Sequence, residues 1–230
     1  MHSSARSFLL AALLSSPFLT PIQAAPSGLL YDPEPPPNSA YVRVINATPD
    51  AIADIAVDGR SRVKDLVGHE ASDYLVLPAG KRTLTIAGHG AKPATVTVDV
   101  VSGRAISIAF DKATGDVKPL VFEDKANTNL LKAVLAVYHL NAKGPTVDVV
   151  AANGATKVMS GVHAGSSRGL AVNPIKVDLA AVAEGASAQL ASASLAMAPG
   201  GTYSFILFAG PRGEFVARAI QNKVERYAGR

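Results

Sequence analysis

The chain has 230 residues, 48% of them hydrophobic and 17% charged, with a formal net charge of +4, no Cys and no Trp. Length suits one large domain or two of about 100 residues, and the apolar share is enough for a core, against intrinsic disorder. Without Cys there is no disulfide framework, thiolate zinc site, iron–sulfur cluster or Cys nucleophile. Six Tyr and seven Phe are too few for an open aromatic platform for sugars or bases, and the scattered Lys and Arg leave no nucleic-acid footprint.

Residues 1–24 read as a secretory signal peptide. Arg6 supplies a positive start, and Ser7 to Leu19 is an apolar run too short for about 30 Å of hydrocarbon. Ile22-Gln23-Ala24 offers a small residue for cleavage after Ala24, with Ala25 the neighbouring alternative. No later run reaches membrane length, so the mature chain is expected to be exported, not membrane-spanning, and periplasmic. Removing Arg6 lowers its net charge to +3, from 21 basic and 18 acidic residues.

Residues 25–40 hold Pro26, Pro33, Pro35, Pro36 and Pro37. They read as an extended arm, because Pro favours polyproline conformation and cannot pair in a central strand. Strands follow at Tyr41–Ile45 and Asp54–Val57, the second closed by the hairpin signal Asp58-Gly59. Tyr74–Leu77 and Arg82–Ile86 flank Pro78-Ala79-Gly80, and Thr95–Val100 and Ala105–Phe110 flank Ser102-Gly103. In that last pair Val96, Val98 and Val100 are expected on the same face as Ile106, Ile108 and Phe110 of a partner strand. Residues 124–130 are polar and aperiodic, a linker. Strands resume at Ala133–Tyr138, Thr146–Val150, Thr202–Phe208 and Phe215–Ile220. Val177–Glu184 and Ser187–Met197 are Ala-rich and suit either strands or a short helical turn.

The halves read as a diverged repeat. Asn46-Ala47, Asp58-Gly59 and Ser72 recur 95 residues later as Asn141-Ala142, Asn153-Gly154 and Ser167, and Asp54 matches Asp148 with one residue deleted. The Pro-x-Gly turn at Pro78 matches Pro199, at an offset of 121, which assigns the second copy about 26 extra residues near Gly169–Ser194. The fold class is therefore all-β, two tandem β-sandwiches, at 41–123 and 131–230.

Catalytic patterns are sparse. His69, His89, His139 and His163 lack metal-ligand spacing and read as loop or surface residues, His139 at a strand end. Gly165-Ser166-Ser167 near His163 is the nearest approach to a nucleophile and base, and it reads better as a turn. Asp54 and Asp148 read as outward-facing strand residues or edge gatekeepers. No catalytic residue, cofactor site or metal site is assigned.

The segment Leu30-Tyr31-Asp32-Pro33-Glu34-Pro35-Pro36-Pro37-Asn38-Ser39-Ala40-Tyr41-Val42-Arg43-Val44-Ile45-Asn46-Ala47 resembles the start of mature alginate biosynthesis proteins of the AlgF family. Gly68-x-x-x-Ser72-Asp73-Tyr74, Leu77-Pro78-Ala79-Gly80 and Asn173-Pro174-Ile175-Lys176-Val177 resemble family segments in the same order. The resemblance implies a periplasmic, non-catalytic protein needed for O-acetylation of an exopolysaccharide, alginate or acetylated cellulose. It implies partners too: a membrane acyltransferase and periplasmic O-acetyltransferases. The expected role is an adaptor, with Tyr31, Asp32, Arg43, Lys81, Arg82 and Arg104 as a candidate interaction surface. The alternative is a module that binds the acidic polysaccharide itself through Arg43, Lys81, Arg82 and Arg104.

Overall fold

A computed structural model describes residues 35–88, 92–111, 119–151, 154 and 156–227. The segment expected to be a signal peptide, with Ala24 and Ala25, the segment up to Glu34 expected to be an arm, with Tyr31 and Asp32, and His89 and Asn153 lie outside them.

The described chain is all β. The first copy holds β1 (Ser39–Asn46), β2 (Ile52–Val57), β3 (Arg60–Leu66), β4 (Glu70–Ala71), β5 (Leu75–Pro78), β6 (Gly80–Gly88), β7 (Ala94–Val100), β8 (Ala105–Phe110) and β9 (Leu120–Glu123). The second holds β10 (Ala133–His139), β11 (Val147–Ala151), β12 (Lys157–Val162), β13 (Ser167–Val172), β14 (Lys176–Ala183), β15 (Gln189–Ala196), β16 (Thr202–Ala209) and β17 (Phe215–Gln221).

Each copy is a sandwich of two sheets. In the first, β3-β2-β6-β7 faces β4-β1-β8-β9, with β5 also on β1. In the second, β12-β11-β14-β15 faces β13-β10-β16-β17. The copies match in order, with β13 standing where the first copy has the two short strands β4 and β5: β1 runs parallel to β8 and β10 parallel to β16, while the other strand pairings are antiparallel. The two halves are tandem β-sandwiches related by a repeat.

The turns explain why particular residues recur. Asp58 and Gly59 both take positive φ, 49° and 79°, the geometry a two-residue hairpin needs. Asn46 is fully buried; its Nδ2 donates to the Asp50, Leu66 and Val67 carbonyls, and its Oδ1 accepts from the Thr48 amide. Asn141, at the matching end of β10, donates to the Gly213 carbonyl and accepts from the Lys143 amide. A buried Asn satisfies loop backbone that no strand can pair.

Three sequence expectations are corrected. β7 and β8 are not partners: they lie in opposite sheets, so Val96, Val98 and Val100 meet Ile106, Ile108 and Phe110 across the core. The alternation is the same in both arrangements, which is why it did not distinguish them. The match of Pro78 to Pro199 also fails. Pro78 ends β5 before β6, whereas Pro199 joins β15 to β16, the counterpart of the β7–β8 turn. The second copy carries no 26-residue insertion, because the Ala-rich stretch is β14 and β15, counterparts of β6 and β7. Finally, His69 and His139 are buried, 8% and 0% exposed, rather than superficial.

The strands β1, β8, β10 and β16 bury both faces. Val42, Val44, Ile106 and Ile108 fill the first core, and Leu135, Val137, Phe205 and Leu207 the second. Their opposite faces form a third apolar cluster, in which Ile45, Ala109 and Phe122 pack on Tyr138, Ile206 and Phe208. The sheets therefore stack in four layers, with a middle seam as well buried as either core.

Candidate functional site

Arg43 sits at the centre of that seam, 0% exposed. Its Nε donates to Ser107 Oγ at 2.7 Å and its Nη1 to Asn222 Oδ1 at 2.6 Å. Its Nη2 donates to Tyr138 Oη at 2.9 Å and Ser204 Oγ at 2.8 Å. Three of these partners belong to the second copy. The guanidinium also lies 4.8 Å from the Tyr74 ring centre and 5.2 Å from that of Tyr138, a cation–π sandwich.

Asp124 provides the counter-charge. It accepts from Tyr74 Oη and Ser107 Oγ, both at 2.7 Å, and from Tyr138 Oη. Arg43 and Asp124 are thus joined through hydroxyls. Burial opposes the Arg43 charge, but Tyr138, Tyr74 and Asp124 outweigh it and hold its pKa above the usual value. Burial, reinforced by Asp124 and opposed by Arg43, pushes Tyr138 up to about 12 and Tyr74 higher still, so both phenols stay protonated donors.

More contacts cross the seam. His69, held at φ 57° in the turn before β4, stacks on Phe208 with ring centres 5.0 Å apart. Arg218 of β17 lies 3.4 Å from Glu70 of β4. The segment after β17 returns to the first sandwich: the Tyr74 amide donates to the Lys223 carbonyl and the Glu225 amide to the Tyr74 carbonyl, a parallel pairing of Tyr74 with Val224. Glu225 Oε1 then accepts from the Val76 amide at 2.8 Å and pairs with Arg62.

Arg43 was expected on an interaction surface, and its position overturns that reading. The alternation Val42-Arg43-Val44 correctly turns Arg43 away from the first core, but the second sandwich covers that face. The other predicted cations do not form one free patch. Arg82 is engaged by the Pro78 and Ala79 carbonyls and by Asp58 at 3.0 Å. Lys81 is exposed and opposite Asp99 in the ladder, and Arg104 pairs with Glu123. Sequence reasoning missed Tyr138, Asp124 and Asn222; only the matching position of Tyr138 in the repeat could have pointed to it.

The other suspected groups are separately occupied. His163 Nδ1 lies 3.0 Å from Thr146 Oγ1, and Ser166 Oγ donates to the His163 carbonyl, so the imidazole is engaged away from Ser167. Asp54 accepts from Ser61. Asp148 is 3% exposed rather than outward-facing in water, with Lys157 Nζ at 2.6 Å and the Gly161 amide at 2.9 Å; these two contacts hold its carboxyl below the usual range. Among the described residues no group of three or more His, Asp or Glu could hold a metal ion, and no helix is long and apolar enough to cross a membrane.

Openings among the described residues include the following. One of about 180 Å³ lies beside the polar seam, lined by Tyr41, Tyr74, Asp124, Tyr138 and Asn222. Another, of about 540 Å³, lies where the loops after β1, β8, β10 and β16 converge. A third, of about 410 Å³, is bounded by Arg60, Arg62, Glu225, Arg226 and Tyr227. The fourth is an apolar groove of about 370 Å³ on the second sandwich.

Two β-sandwiches joined face to face through a buried Arg–Tyr–Asp network define a two-domain β protein in which a deeply buried polar network holds the halves together. The chain belongs to the AlgF family: the family model described as alginate O-acetyl transferase AlgF matches residues 11–203. It is 29% identical over 178 residues to the alginate biosynthesis protein AlgF of Pseudomonas putida, covering 77% of each chain. To that of Pseudomonas aeruginosa it is 30% identical over 156 residues, covering 68% of this chain and 67% of the relative. Among solved structures, the C-terminal domain of AlgF from P. aeruginosa matches at 23% identity and a TM-score of 0.33, covering 40% of this chain and 99% of that one.

Proposed function

We propose that this protein is an exported, periplasmic adaptor for the O-acetylation of alginate, and that it holds acetyltransferases of the machinery together without itself catalysing transfer. Family membership supports the pathway. The observation that carries the adaptor reading is how the polar residues are used. Acyl transfer needs an activated nucleophile beside a base and an oxyanion hole. Here Arg43, Tyr74, Ser107, Asp124, Tyr138, Ser204 and Asn222 are committed to one another in the seam, and His163 is turned to Thr146. A pair of sandwiches joined through a buried seam, with the two outer sheets turned away from it, suits docking.

The test is an in-frame deletion in the producing strain. Polymer yield should stay at the wild-type level while acetyl groups per uronate residue, counted by proton NMR, fall at least tenfold. Wild-type acetylation in the deletion strain would refute the role.

A second reading, weak binding of the acidic polymer, is favoured only by the cleft at Arg60, Arg62 and Arg226. Titration of the isotope-labelled protein with oligomannuronate separates the two. The adaptor reading expects no amide shifts at millimolar ligand; saturable shifts confined to this cleft would favour the second.

A further inference from the structure

The two copies treat the same sheet edge differently. In the first, the edge of β4 and β5 beside β1 is covered by the segment after β17, with Lys223–Glu225 paired in parallel along Tyr74 and Glu225 capping the Val76 amide. In the second copy the equivalent edge is β13, the terminal strand beside β10. Among the described residues no strand pairs with its outer side.

Beside that edge the second sandwich is open. The apolar groove runs between β13 and β12 and reaches the core at Leu135 and Leu179. Leu170, Val172 and Val158 are only partly buried on the second core, and Ile175, 54% exposed, stands on its rim. An unpaired strand next to apolar side-chain pockets is the geometry in which an extended peptide adds as a further strand, with backbone hydrogen bonds for affinity and alternate side chains for specificity.

Charge narrows the occupant. Lys132 lies at the Asn173 end of the groove, where its Nζ donates to Asn173 Oδ1, and Arg168 stands at the other end of β13, donating to the Ser160 carbonyl. No acidic residue lines the groove. We infer that β13 and this groove receive an extended segment of a partner acetyltransferase, with apolar residues at alternate positions and a carboxylate flanking them, added to the edge as Lys223–Glu225 is added in the first copy. This rests on the adaptor reading and gives it a docking surface.

The experiment uses the full chain expressed from its own locus. Arg168 and Ile175 are exposed, so Ile175→Asp with Arg168→Glu should leave the melting temperature unchanged and reduce polymer acetylation at least fivefold. In parallel, p-benzoylphenylalanine at Ile175 is photolysed in living cells and the cross-linked peptide sequenced. A cross-link to an extended apolar–acidic segment of an acetyltransferase supports the inference. A cross-link to a second copy or to this chain's own residues overturns it. A folded double variant that acetylates normally, in a strain where deletion abolishes acetylation, overturns the docking surface and leaves the adaptor standing. Normal acetylation after deletion removes both. If the double variant does not fold, the cross-link alone decides.

Discussion

Arg43 donates to the Tyr138 hydroxyl at 2.9 Å, and the two residues stand 95 apart, at matching positions of the two copies. The offset is that of Asn46 and Asn141. Equivalent positions that touch place a local two-fold relationship at this contact, so each sandwich presents the same face to the other. Only one copy brings a cation, and the other answers with a phenol.

Breaking this contact is the first prediction. Arg43→Met leaves Ser107, Tyr138, Ser204 and Asn222 without their shared donor and Asp124 without its counter-charge, and should cost about 3–5 kcal/mol, as removing one member of a buried charged network does. Tyr138→Phe should cost about 1–2 kcal/mol. In urea unfolding the double variant should show a coupling of at least about 0.5 kcal/mol; additive losses would mean that the residues act separately.

Acid should loosen the molecule through its buried histidines. Burial, helped by Arg218, holds His69 below its ordinary pKa, and burial does the same to His139. Among the described residues, His69 Nε2 and His139 Nδ1 have no hydrogen-bond partner. Both groups bind protons more readily unfolded, so their contribution is complete above about pH 6.5 and is lost as pH falls through that value toward the folded pKa. The melting temperature should therefore drop between pH 7.5 and 5.5, and His69→Gln should flatten the slope. An equal slope in the variant would locate the effect elsewhere.

Gly68 is a packing glycine. A Cβ there would lie 2.1 Å from the Pro49 carbonyl oxygen, which is backbone and cannot swing aside. Gly68→Ala should cost about 2–3 kcal/mol by overpacking and shift the turn that presents His69 to Phe208. Thermal unfolding gives the cost, and the chemical shifts of the Phe208 ring report the displacement.

Cutting the segment after β17 should be felt in the first sandwich. Truncation after Asn222, which keeps that residue on Arg43 and Ser204, removes the backbone partners of Tyr74 and the acceptor of the Val76 amide. Hydrogen exchange at those two amides should accelerate more than tenfold while the β10 and β16 amides keep their protection. Uniform acceleration would mean global destabilisation instead. Glu225→Ala removes the side-chain acceptor but not the backbone partners of Tyr74, so of the two amides it should accelerate that of Val76 alone.

The sequence showed most of the strands because alternation and turn chemistry are local. Asp58-Gly59 announces its hairpin whatever surrounds it, and residues 105–110 alternate visibly. β3 and β12 escaped notice because edge strands carry charge, as in Arg60-Ser61-Arg62. What alternation cannot reveal is which sheet a strand joins, hence the misplaced pairing of β7 with β8. Nor can it say what covers a strand's second face. Arg43 looked solvent-facing because a polar residue between two valines normally is, and its cover lies 95 residues away. Asp124 was hidden differently: it belongs to a polar stretch read as a linker, yet its carboxylate balances the seam.

The pairing of Tyr74 with Lys223–Glu225 sets an order of events in assembly. Residues 222–225 leave the ribosome after every strand they support. The first sandwich can collapse early, but its edge stays open until the second has been made, and Arg43 lacks Asn222 until then. Maturation is therefore a property of the whole chain: a product truncated before residue 222 would display an unpaired edge and an incompletely satisfied buried cation.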